Sequence, residues 1–349
     1  MLNLAQYKLI RPLATAIELQ NAYRLRDRIQ ESIAVIGSML DKGYNHWIIT
    51  FSGGKDSTSS LIISLEAAIT FKGKVERIDI IYSDTTVEIP TINGYAKDFL
   101  KSLKKNPHLN GVDFHTHIVR PPIKDRYWVK LLGYGYPPPH QKFRWCTHRL
   151  KIRPVENKLK RYFKPDQTLI ITGVRYGESQ DRDKRLALSC SRGGECGQGL
   201  WFQYSDKLKV GYLAPLIDWT SCDVWDFINF VAPGHGFPTT ELNKIYNGHD
   251  TRFGCWTCTV VRQDRAMERT IEQPEWAHLA PLAEFRNYIW QETRNANTRQ
   301  LRDNGMPGRL KISTRKKLLK RLVNIQSSTK ISLIDDQEIE AIKGIWKLK

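Results

Sequence analysis

Cysteine is scarce in this chain, and long apolar runs are missing from it. Its 349 residues include 6 cysteines, too few for the disulfide framework of a secreted protein of this size. No stretch approaches the ~18 uninterrupted apolar residues of a membrane span. Residues 1–14 lack the long apolar core of a secretory signal. We therefore expect a cytoplasmic protein without a membrane partner.

Acidic residues are also in deficit. The chain has 36 Asp and Glu against 54 Lys and Arg, which gives a formal net charge of +18. Such an excess favours polyanionic partners, among which nucleic acid gains most from counterion release. The alternative is a basic protein with no such partner. Hydrophobic residues make up 41% of the chain, enough for a sizeable core.

Short apolar runs alternate with helical periodicity through the first half of the chain. Helices are predicted over 15–41, 57–70 and 89–103, and strands over 47–51, 78–82, 114–119 and 169–172. This alternation predicts an α/β fold whose parallel sheet is covered by helices on both faces. Residues 176–210 have little periodicity and are interpreted as an insertion or lid. Residues 259–349 are predicted to be helical and basic, and the charged run 315–321 is either a solvated face or a phosphate-contacting patch.

A glycine-rich hexapeptide, SGGKDS, connects the first predicted strand to the next helix. Paired glycines let backbone amides turn toward an anion, and the helix N-terminus adds partial positive charge. The lysine supplies a full charge, and the serines supply hydroxyl donors. An ordinary Gly-Gly turn is the alternative. The predicted phosphate-binding residues are Ser52, Gly53, Gly54, Lys55, Asp56 and Ser57.

The hexapeptide resembles the SGGxDS signature of the PP-loop ATP pyrophosphatases, in the branch that contains the sulfonucleotide reductases. That resemblance implies an adenine nucleotide alpha hydrolase-like fold and cleavage of ATP between its α and β phosphates, with Mg²⁺. It also implies that Lys55, Asp56 and Ser57 carry the catalysis. The reductases of this branch use the same pocket for an adenylyl sulfate.

Three further segments resemble this branch in the same order along the chain. Residues 82–85 (YSDT) place Ser83 and Asp84 at the nucleotide, where Asp84 would ligate Mg²⁺ or accept from ribose; alone it is equally a helix cap. Residues 172–179 (TGVRYGES) resemble a TGxRxxES region and add Gly173, Arg175 and Glu178. Residues 216–225 resemble a strand end that feeds a capped helix. We therefore expect a PP-loop domain over 1–262, including the cysteines, and a basic helical region over 263–349.

The cysteines suggest a metal centre. Cys255 and Cys258 have the C-x2-C spacing of zinc and iron–sulfur ligands, and residues 144–154 resemble the segment that carries the first cluster cysteines of cluster-bearing reductases. Cys146 stands alone there, whereas those reductases have a cysteine pair. The resemblance implies a [4Fe–4S] cluster, held by Cys146, Cys196, Cys255 and Cys258, with Cys190 as the alternative fourth ligand and zinc as the alternative metal. Cys222 is expected to be a small core residue.

The run RFGCWTCTVV at 252–261 resembles the sulfur-transfer subunits of DNA phosphorothioation, called DndC or SspD. That resemblance implies adenylylation of the DNA backbone, sulfur from a cysteine desulfurase, and further subunits of a modification complex. An adenylyl-sulfate reductase competes with this interpretation, but it needs a mobile cysteine near its C-terminus and no cysteine follows Cys258. A tRNA-thiolating enzyme, with RNA as acceptor, and a non-catalytic nucleic-acid-binding subunit would share the same motifs.

Overall fold

The fold was analysed in a computed structural model, which describes residues 16–177, 195–197, 200–249 and 252–348. The chain divides into two compact units. The sheet unit comprises Met1–Tyr82, Ala96–His117 and Phe163–Asn243. The helical unit comprises Ser83–Tyr95, Ile118–Tyr162 and Lys244–Lys349. The predicted boundary after residue 262 stays a prediction.

Strands and helices alternate through the first half of the chain. In chain order, the elements are α1 (Ala16–Asp41), β1 (His46–Phe51), α2 (Lys55–Thr70), β2 (Arg77–Ser83), α3 (Pro90–Leu103), β3 (Phe114–Val119), α4 (Arg153–Leu159), β4 (Thr168–Ile171), β5 (Glu195–Gly197), β6 (Leu200–Ser205), β7 (Val210–Leu213), α5 (Ser221–Asp226) and α6 (Thr240–Tyr246). The runs that form β1 and β4 are apolar because almost every residue in them is buried, as expected of inner parallel strands.

The seven strands form one sheet in the order β3-β2-β1-β4-β7-β6-β5. Strand β1 is parallel to both neighbours, with Phe51 opposite Tyr82 and Ile49 opposite Ile171. Strand β7 is parallel to β4. The strand order therefore reverses between β1 and β4. Because ligands of open α/β sheets bind beyond the carboxyl ends of the strands at such a reversal, the segments after β1 and β4 frame the expected ligand crevice.

The predicted α/β class is confirmed, with one correction. The insertion predicted over 176–210 is wrong for its last part, because β6 and β7 form an antiparallel hairpin that extends the sheet, and β5 pairs with β6. The hairpin turn contains Lys209 at φ 55, and Phe202 packs against Tyr44 with ring centroids 5.6 Å apart. Strands this short show too few alternations for a period to be recognised.

The C-terminal part of the chain is mainly helical. It contains α7 (Arg265–Glu272), α8 (Ala280–Glu292), β8 (Arg299–Leu301), β9 (Pro307–Leu310), α9 (Ile312–Thr329) and α10 (Asp336–Lys347). The helical prediction missed the antiparallel ribbon β8–β9. The helical unit has its own core, which includes Trp128, Trp256, Phe285 and Leu322. Among the described helices, none has the length and apolar character needed to span a membrane.

Candidate nucleotide site and cysteine cluster

The loop between β1 and α2 turns sharply because of its glycines. Gly53 has φ 80, in the left-handed region, and Gly54 is extended immediately before the first residue of α2. Gly54 has no side chain with which to cap the helix. The first amides of an α-helix lack intrahelical acceptors and favour anions. The backbone here is therefore arranged as the hexapeptide predicts, although the identity of any ligand stays a prediction.

Ser57 holds the loop together. Its Oγ donates to the Gly54 carbonyl oxygen at 2.9 Å and accepts from the Ser52 amide at 3.2 Å. The Oγ atoms of Ser52 and Ser57 are 3.0 Å apart. One hydroxyl thus joins the two ends of the hexapeptide, and replacing it would remove loop structure as well as a donor.

Two buried cations share the carboxylate of Asp56. Lys55 Nζ lies 2.9 and 3.1 Å from its two oxygens, and Arg175 Nε lies 2.6 Å from Oδ1. Lys55 is 4% exposed and Arg175 is 6% exposed. One carboxylate therefore holds both cations at the start of α2. Because burial weakens solvent screening, these charges interact strongly with one another.

Gly173 packs against the start of α2, which explains the glycine two residues after the end of β4. A Cβ added at Gly173 would lie 2.7 Å from the Asp56 carbonyl oxygen and 2.8 Å from the Ser57 Cα. Real Cβ atoms do not approach backbone so closely. The absence of a side chain at residue 173 therefore brings the segments after β1 and β4 into direct contact.

Ser83 and Asp84 belong to the helical unit. Asp84 is buried and its carboxylate accepts from Arg120 Nε and from the Thr86 amide, each at 3.0 Å. Thr86 has φ 67, so the carboxylate supports a turn that few residues other than glycine adopt. Ser83 Oγ donates to the Leu150 carbonyl at 3.4 Å. These contacts give Asp84 a structural role, while its predicted role in nucleotide binding stays a prediction.

Three of the four predicted metal ligands lie in the helical unit. The Cys258 amide donates to the Cys255 carbonyl at 3.0 Å, which closes the C-x2-C turn. Cys146, Cys255 and Cys258 all act electrostatically on the buried Tyr127, whose pKa is raised first by burial and then by these thiols. Burial also raises the pKa values of Cys146 and Cys255. The three thiols therefore lie around the same buried tyrosine.

Thiol donors suit either an iron–sulfur cluster or a zinc ion. In the part of the chain that the structure describes, the three sulfurs do not all lie within 4.8 Å of one another. Thr257, between Cys255 and Cys258, has a buried hydroxyl without a hydrogen-bond partner in the described part of the chain. A hydroxyl in that position suits a bound inorganic sulfide.

Sequence reasoning missed two charged neighbours of the cysteines. Glu88 Oε1 lies 3.7 Å from Cys255 Sγ and 3.0 Å from Lys151 Nζ. The charge of Glu88 is the largest cause of the raised pKa of Lys151. No local pattern marks either residue, because the contact depends on an isolated bridge between residues 88 and 255.

Some predicted site residues lie outside the part of the chain that the structure describes. A separate prediction, about Cys222, is wrong. Glu178 and Cys190 lie outside the described residues. Cys196 belongs to β5, but its side chain lies outside the description. Cys222 was expected in the core and is instead exposed. It lies in the first turn of α5, whose buried residues are Asp223 and Val224.

Comparison with known proteins identifies the family. Residues 46–261 match the family described as the phosphoadenosine phosphosulfate reductase domain, which is more than half of the chain. The chain belongs to this family. Its phosphoadenosine phosphosulfate reductase domain begins at the first residue of β1 and ends three residues after Cys258. It is a reductase-like, nucleotide-binding domain, and it contains both the SGGKDS loop and the cysteines.

Two uncharacterized proteins of Methanocaldococcus jannaschii are similar to this reductase-like chain. One is 26% identical over 234 residues, which cover 66% of this chain and 40% of the relative. The other is 25% identical over 249 residues, which cover 68% of this chain and 48% of the relative. The chain thus spans less than half the length of these curated relatives.

The comparison with solved structures found similarity to two Candida enzymes. Phosphoadenylyl-sulfate reductase of Candida auris, in a phosphate complex, is 14% identical with a TM-score of 0.39, over 70% of this chain and 97% of that chain. FMN adenylyltransferase of Candida glabrata, in complex with FAD and inorganic pyrophosphate, is 14% identical with a TM-score of 0.37, over 64% of this chain and 62% of that chain.

Proposed function

We propose that this chain is an ATP pyrophosphatase that activates the DNA backbone for sulfur incorporation. The observation that carries the proposal is the pair of buried cations, Lys55 and Arg175, on the carboxylate of Asp56 beside the glycine turn. Such an arrangement suits the β and γ phosphates of ATP, which leave together as pyrophosphate. The loop amides and Ser57 would hold the same phosphates. Glu178, in the segment 172–179, is a further predicted nucleotide-binding residue.

The proposed chemistry has two displacements. A phosphate oxygen of DNA attacks the α phosphorus of ATP, the bond to the β phosphate breaks, and pyrophosphate leaves. A persulfide sulfur, supplied through a cysteine desulfurase, then attacks the adenylylated DNA phosphorus and AMP leaves. A thiol reductant splits the remaining S–S bond. Lys55 and Arg175 lower the barrier to the first step by stabilising charge that develops on pyrophosphate.

Two cofactors belong to the proposal. Asp84 is the predicted carboxylate ligand of Mg²⁺, which would neutralise phosphate charge when bound. Cys146, Cys255 and Cys258, with Cys196 or Cys190, would hold a [4Fe–4S] cluster. When bound, that cluster supplies electron-transfer chemistry or an iron atom for sulfur. The buried hydroxyl of Thr257 would donate a hydrogen bond to it.

Charge and surface shape support DNA as the acceptor. A groove in the helical unit lies along the ribbon β8–β9, and its lining residues are Tyr136, Pro137, Phe143, Gln300, Leu301, Arg302, Gly308 and Arg309. Leu301 and Met306, on the ribbon, are 72% and 60% exposed. Protein surfaces that bind nucleic acid typically combine arginines, which contact phosphates, with exposed apolar and aromatic side chains, which contact bases. RNA would bind to the same groove and is the less favoured acceptor.

The charged run at 315–321 contributes less to this surface than its sequence suggests. Arg315 is buried and donates to the Gly133 carbonyl at 2.5 Å, so it supports the core of the helical unit. Lys317 and Arg321 lie over the ring of Tyr288, at 5.3 and 4.2 Å from its centroid. The groove arginines are therefore the better candidates for phosphate contacts.

An adenylyl-sulfate reductase is the second candidate, because the family carries that activity in its name. A reductase of this kind needs a nucleophilic cysteine that reaches the sulfate. Sulfite release from an adenylyl sulfate in the presence of thioredoxin would favour this candidate. Pyrophosphate release from ATP would favour the first.

The test of the proposed function follows sulfur into DNA. Purified protein is incubated with ATP, Mg²⁺, a cysteine desulfurase, ³⁵S-labelled cysteine, duplex DNA and tRNA, with the other subunits of the modification complex added. We expect label in DNA and stoichiometric pyrophosphate, and we expect neither with Lys55→Ala. Label in tRNA alone would move the acceptor to RNA, and pyrophosphate without label in any nucleic acid would contradict sulfur transfer.

The groove is tested separately by the salt dependence of DNA binding. Replacing both Arg302 and Arg309 by alanine should lower the slope of log affinity against log salt by about 0.9 per lost phosphate contact. Lys343→Ala, an exposed cation of α10 that does not line the groove, is the matched control. An equal slope in all three proteins would contradict this surface.

A further inference from the structure

Three metal-binding side chains converge in the sheet unit. Glu66 lies on α2. His108 lies in the short 3-10 turn Pro107–Leu109, which follows α3, and His235 lies in the 3-10 turn Ala232–His235. Their ligand atoms all lie within 4.8 Å of one another. None of the three is among the residues proposed for the nucleotide or the cysteine cluster.

The two imidazoles approach the same carboxylate oxygen. His108 Nε2 lies 2.8 Å and His235 Nδ1 lies 2.7 Å from Glu66 Oε1. The rings themselves are close, with centroids 4.5 Å apart. The side chains are partly shielded: 33% of His108, 22% of His235 and 14% of Glu66 is exposed. Both imidazole nitrogens therefore converge on one carboxylate oxygen, in a group of side chains that solvent can still reach.

One amide side chain fixes both histidine turns. Asn106 accepts from the His108 amide at 3.0 Å through Oδ1, and it donates to the His235 carbonyl at 3.0 Å through Nδ2. Gly236 adopts φ 78, and a Cβ there would lie 2.9 Å from the Asn106 oxygen. The backbones that carry His108 and His235 are thus held to each other without help from the imidazoles. This preorganisation lowers the entropic cost of binding a ligand between them.

We propose that Glu66, His108 and His235 form a binding site for a divalent transition metal, with zinc as the preferred ion. Two imidazole nitrogens and one carboxylate oxygen, with water in a fourth position, form a known zinc ligand set. Imidazole ligands select against Mg²⁺ and Ca²⁺, which prefer oxygen. Tetrahedral zinc spaces such ligands about 3.3 Å apart, given bonds of about 2.0 Å, so the observed contacts open by about 0.5 Å when the ion enters.

The metal would have a structural role within the sheet unit. Glu66 lies eleven residues after Lys55 on α2, which is roughly 16 Å along the helix axis at 1.5 Å per residue. The ion therefore acts away from the phosphate loop, and it joins α2 to the turns that contain His108 and His235. A ligand that binds the folded state alone raises the stability of that state. The site is independent of the proposed DNA chemistry.

Metal content of matched variants tests the site. Wild type, Glu66→Gln, His108→Asn and His115→Asn, each of 349 residues, are dialysed together against the same buffered zinc, and zinc per chain is measured by mass spectrometry. His115, an exposed residue of β3 outside the cluster, controls for the loss of an imidazole. Zinc on the cysteines is common to all four proteins. We expect one zinc ion fewer per chain in Glu66→Gln and His108→Asn than in wild type and His115→Asn.

Cobalt distinguishes this site from the thiols. Co²⁺ bound by Glu66, His108 and His235 should give the visible absorption bands of nitrogen and oxygen ligation, without thiolate charge-transfer absorption. These bands should be lost in His108→Asn. Zinc should raise the unfolding temperature of wild type and His115→Asn, and at least about tenfold more zinc should be needed for the same rise in His108→Asn. Circular dichroism checks the fold of each variant. Equal zinc content, equal cobalt spectra or equal temperature shifts in wild type and His108→Asn would overturn the proposal.

Discussion

Arg175 Nε lies 2.6 Å from Oδ1 of Asp56, although 119 residues separate them in the chain. The same carboxylate accepts from the neighbouring Lys55. Asp56 therefore holds two buried cations in place at the start of α2. If the loop binds phosphate, this carboxylate sets the positions of the charges that the phosphate meets.

Replacement of Asp56 by asparagine should weaken both stability and activity. Asn keeps the volume but leaves Lys55 and Arg175 without a shared negative charge. Loss of one partner from a partly exposed buried ion pair lowers the free energy of unfolding by on the order of 1–3 kcal/mol. We expect a lower urea midpoint and at least about tenfold slower pyrophosphate release. Asp98→Asn, an exposed carboxylate of α3, is the control. Equal midpoints in both variants would contradict this role.

Gly173→Ala should destabilise the sheet unit. The new Cβ would lie 2.7 Å from the Asp56 carbonyl oxygen, and overpacking against backbone costs about 1–3 kcal/mol. Gly94→Ala is the matched control, because Gly94 lies in α3 with open space around it and alanine favours a helix by up to about 1 kcal/mol. We expect opposite shifts in thermal midpoint for the two variants. Unchanged stability and unchanged ATP affinity of Gly173→Ala would refute the close contact.

Serine variants of the three cysteines in the helical unit should lose bound iron. Each of Cys146→Ser, Cys255→Ser and Cys258→Ser removes a thiolate from the predicted cluster site, whereas Cys222→Ser changes an exposed cysteine outside it. Anaerobically purified wild type and Cys222→Ser should contain about four iron and four sulfide per chain, with broad visible absorption. The other variants should be largely colourless. Colourless wild type with stoichiometric zinc would contradict the cluster.

Glu338 should make the stability of the helical unit depend on pH. Burial raises its pKa from 4.5 to about 7, so the folded protein keeps a proton that the unfolded chain releases. The contribution of protonated Glu338 to the free energy of unfolding is fully present below pH 4.5 and is lost as the pH rises through about 7. Its full size is on the order of 3 kcal/mol. Urea unfolding at pH 5 and pH 8 should show this loss in wild type and in the exposed control Glu340→Gln. A similar loss in Glu338→Gln would rule Glu338 out as its source.

Local features of the fold were predictable from the sequence. The apolar run that ends at Phe51, the glycine turn and the helix that follows are contiguous, so the strand, loop and helix could be placed within one or two residues. The contact between Gly173 and Asp56 was different. It follows from the strand order, and only the family resemblance placed Gly173 and Arg175 near the loop beforehand.

Other features could not be predicted because their cause is not local. The exposure of Cys222 depends on where its helix begins, because a shift of one residue turns a side chain by about 100° around the helix axis. Glu88 reaches Cys255 through a single bridge. Glu66, His108 and His235 are far apart in the sequence, and no single segment contains two of them. Such clusters become visible only when the elements have been placed in three dimensions.

The central claim is that the SGGKDS loop binds ATP for cleavage between the α and β phosphates. The most direct test measures AMP and pyrophosphate against ADP and phosphate, with Mg²⁺ and DNA, for wild type, Lys55→Ala and the exposed control Lys104→Ala. The account predicts AMP and pyrophosphate from wild type and Lys104→Ala, and a loss of at least about 100-fold in Lys55→Ala, as for other groups that stabilise developing charge. Equal turnover by Lys55→Ala, or ADP as the product, would contradict it.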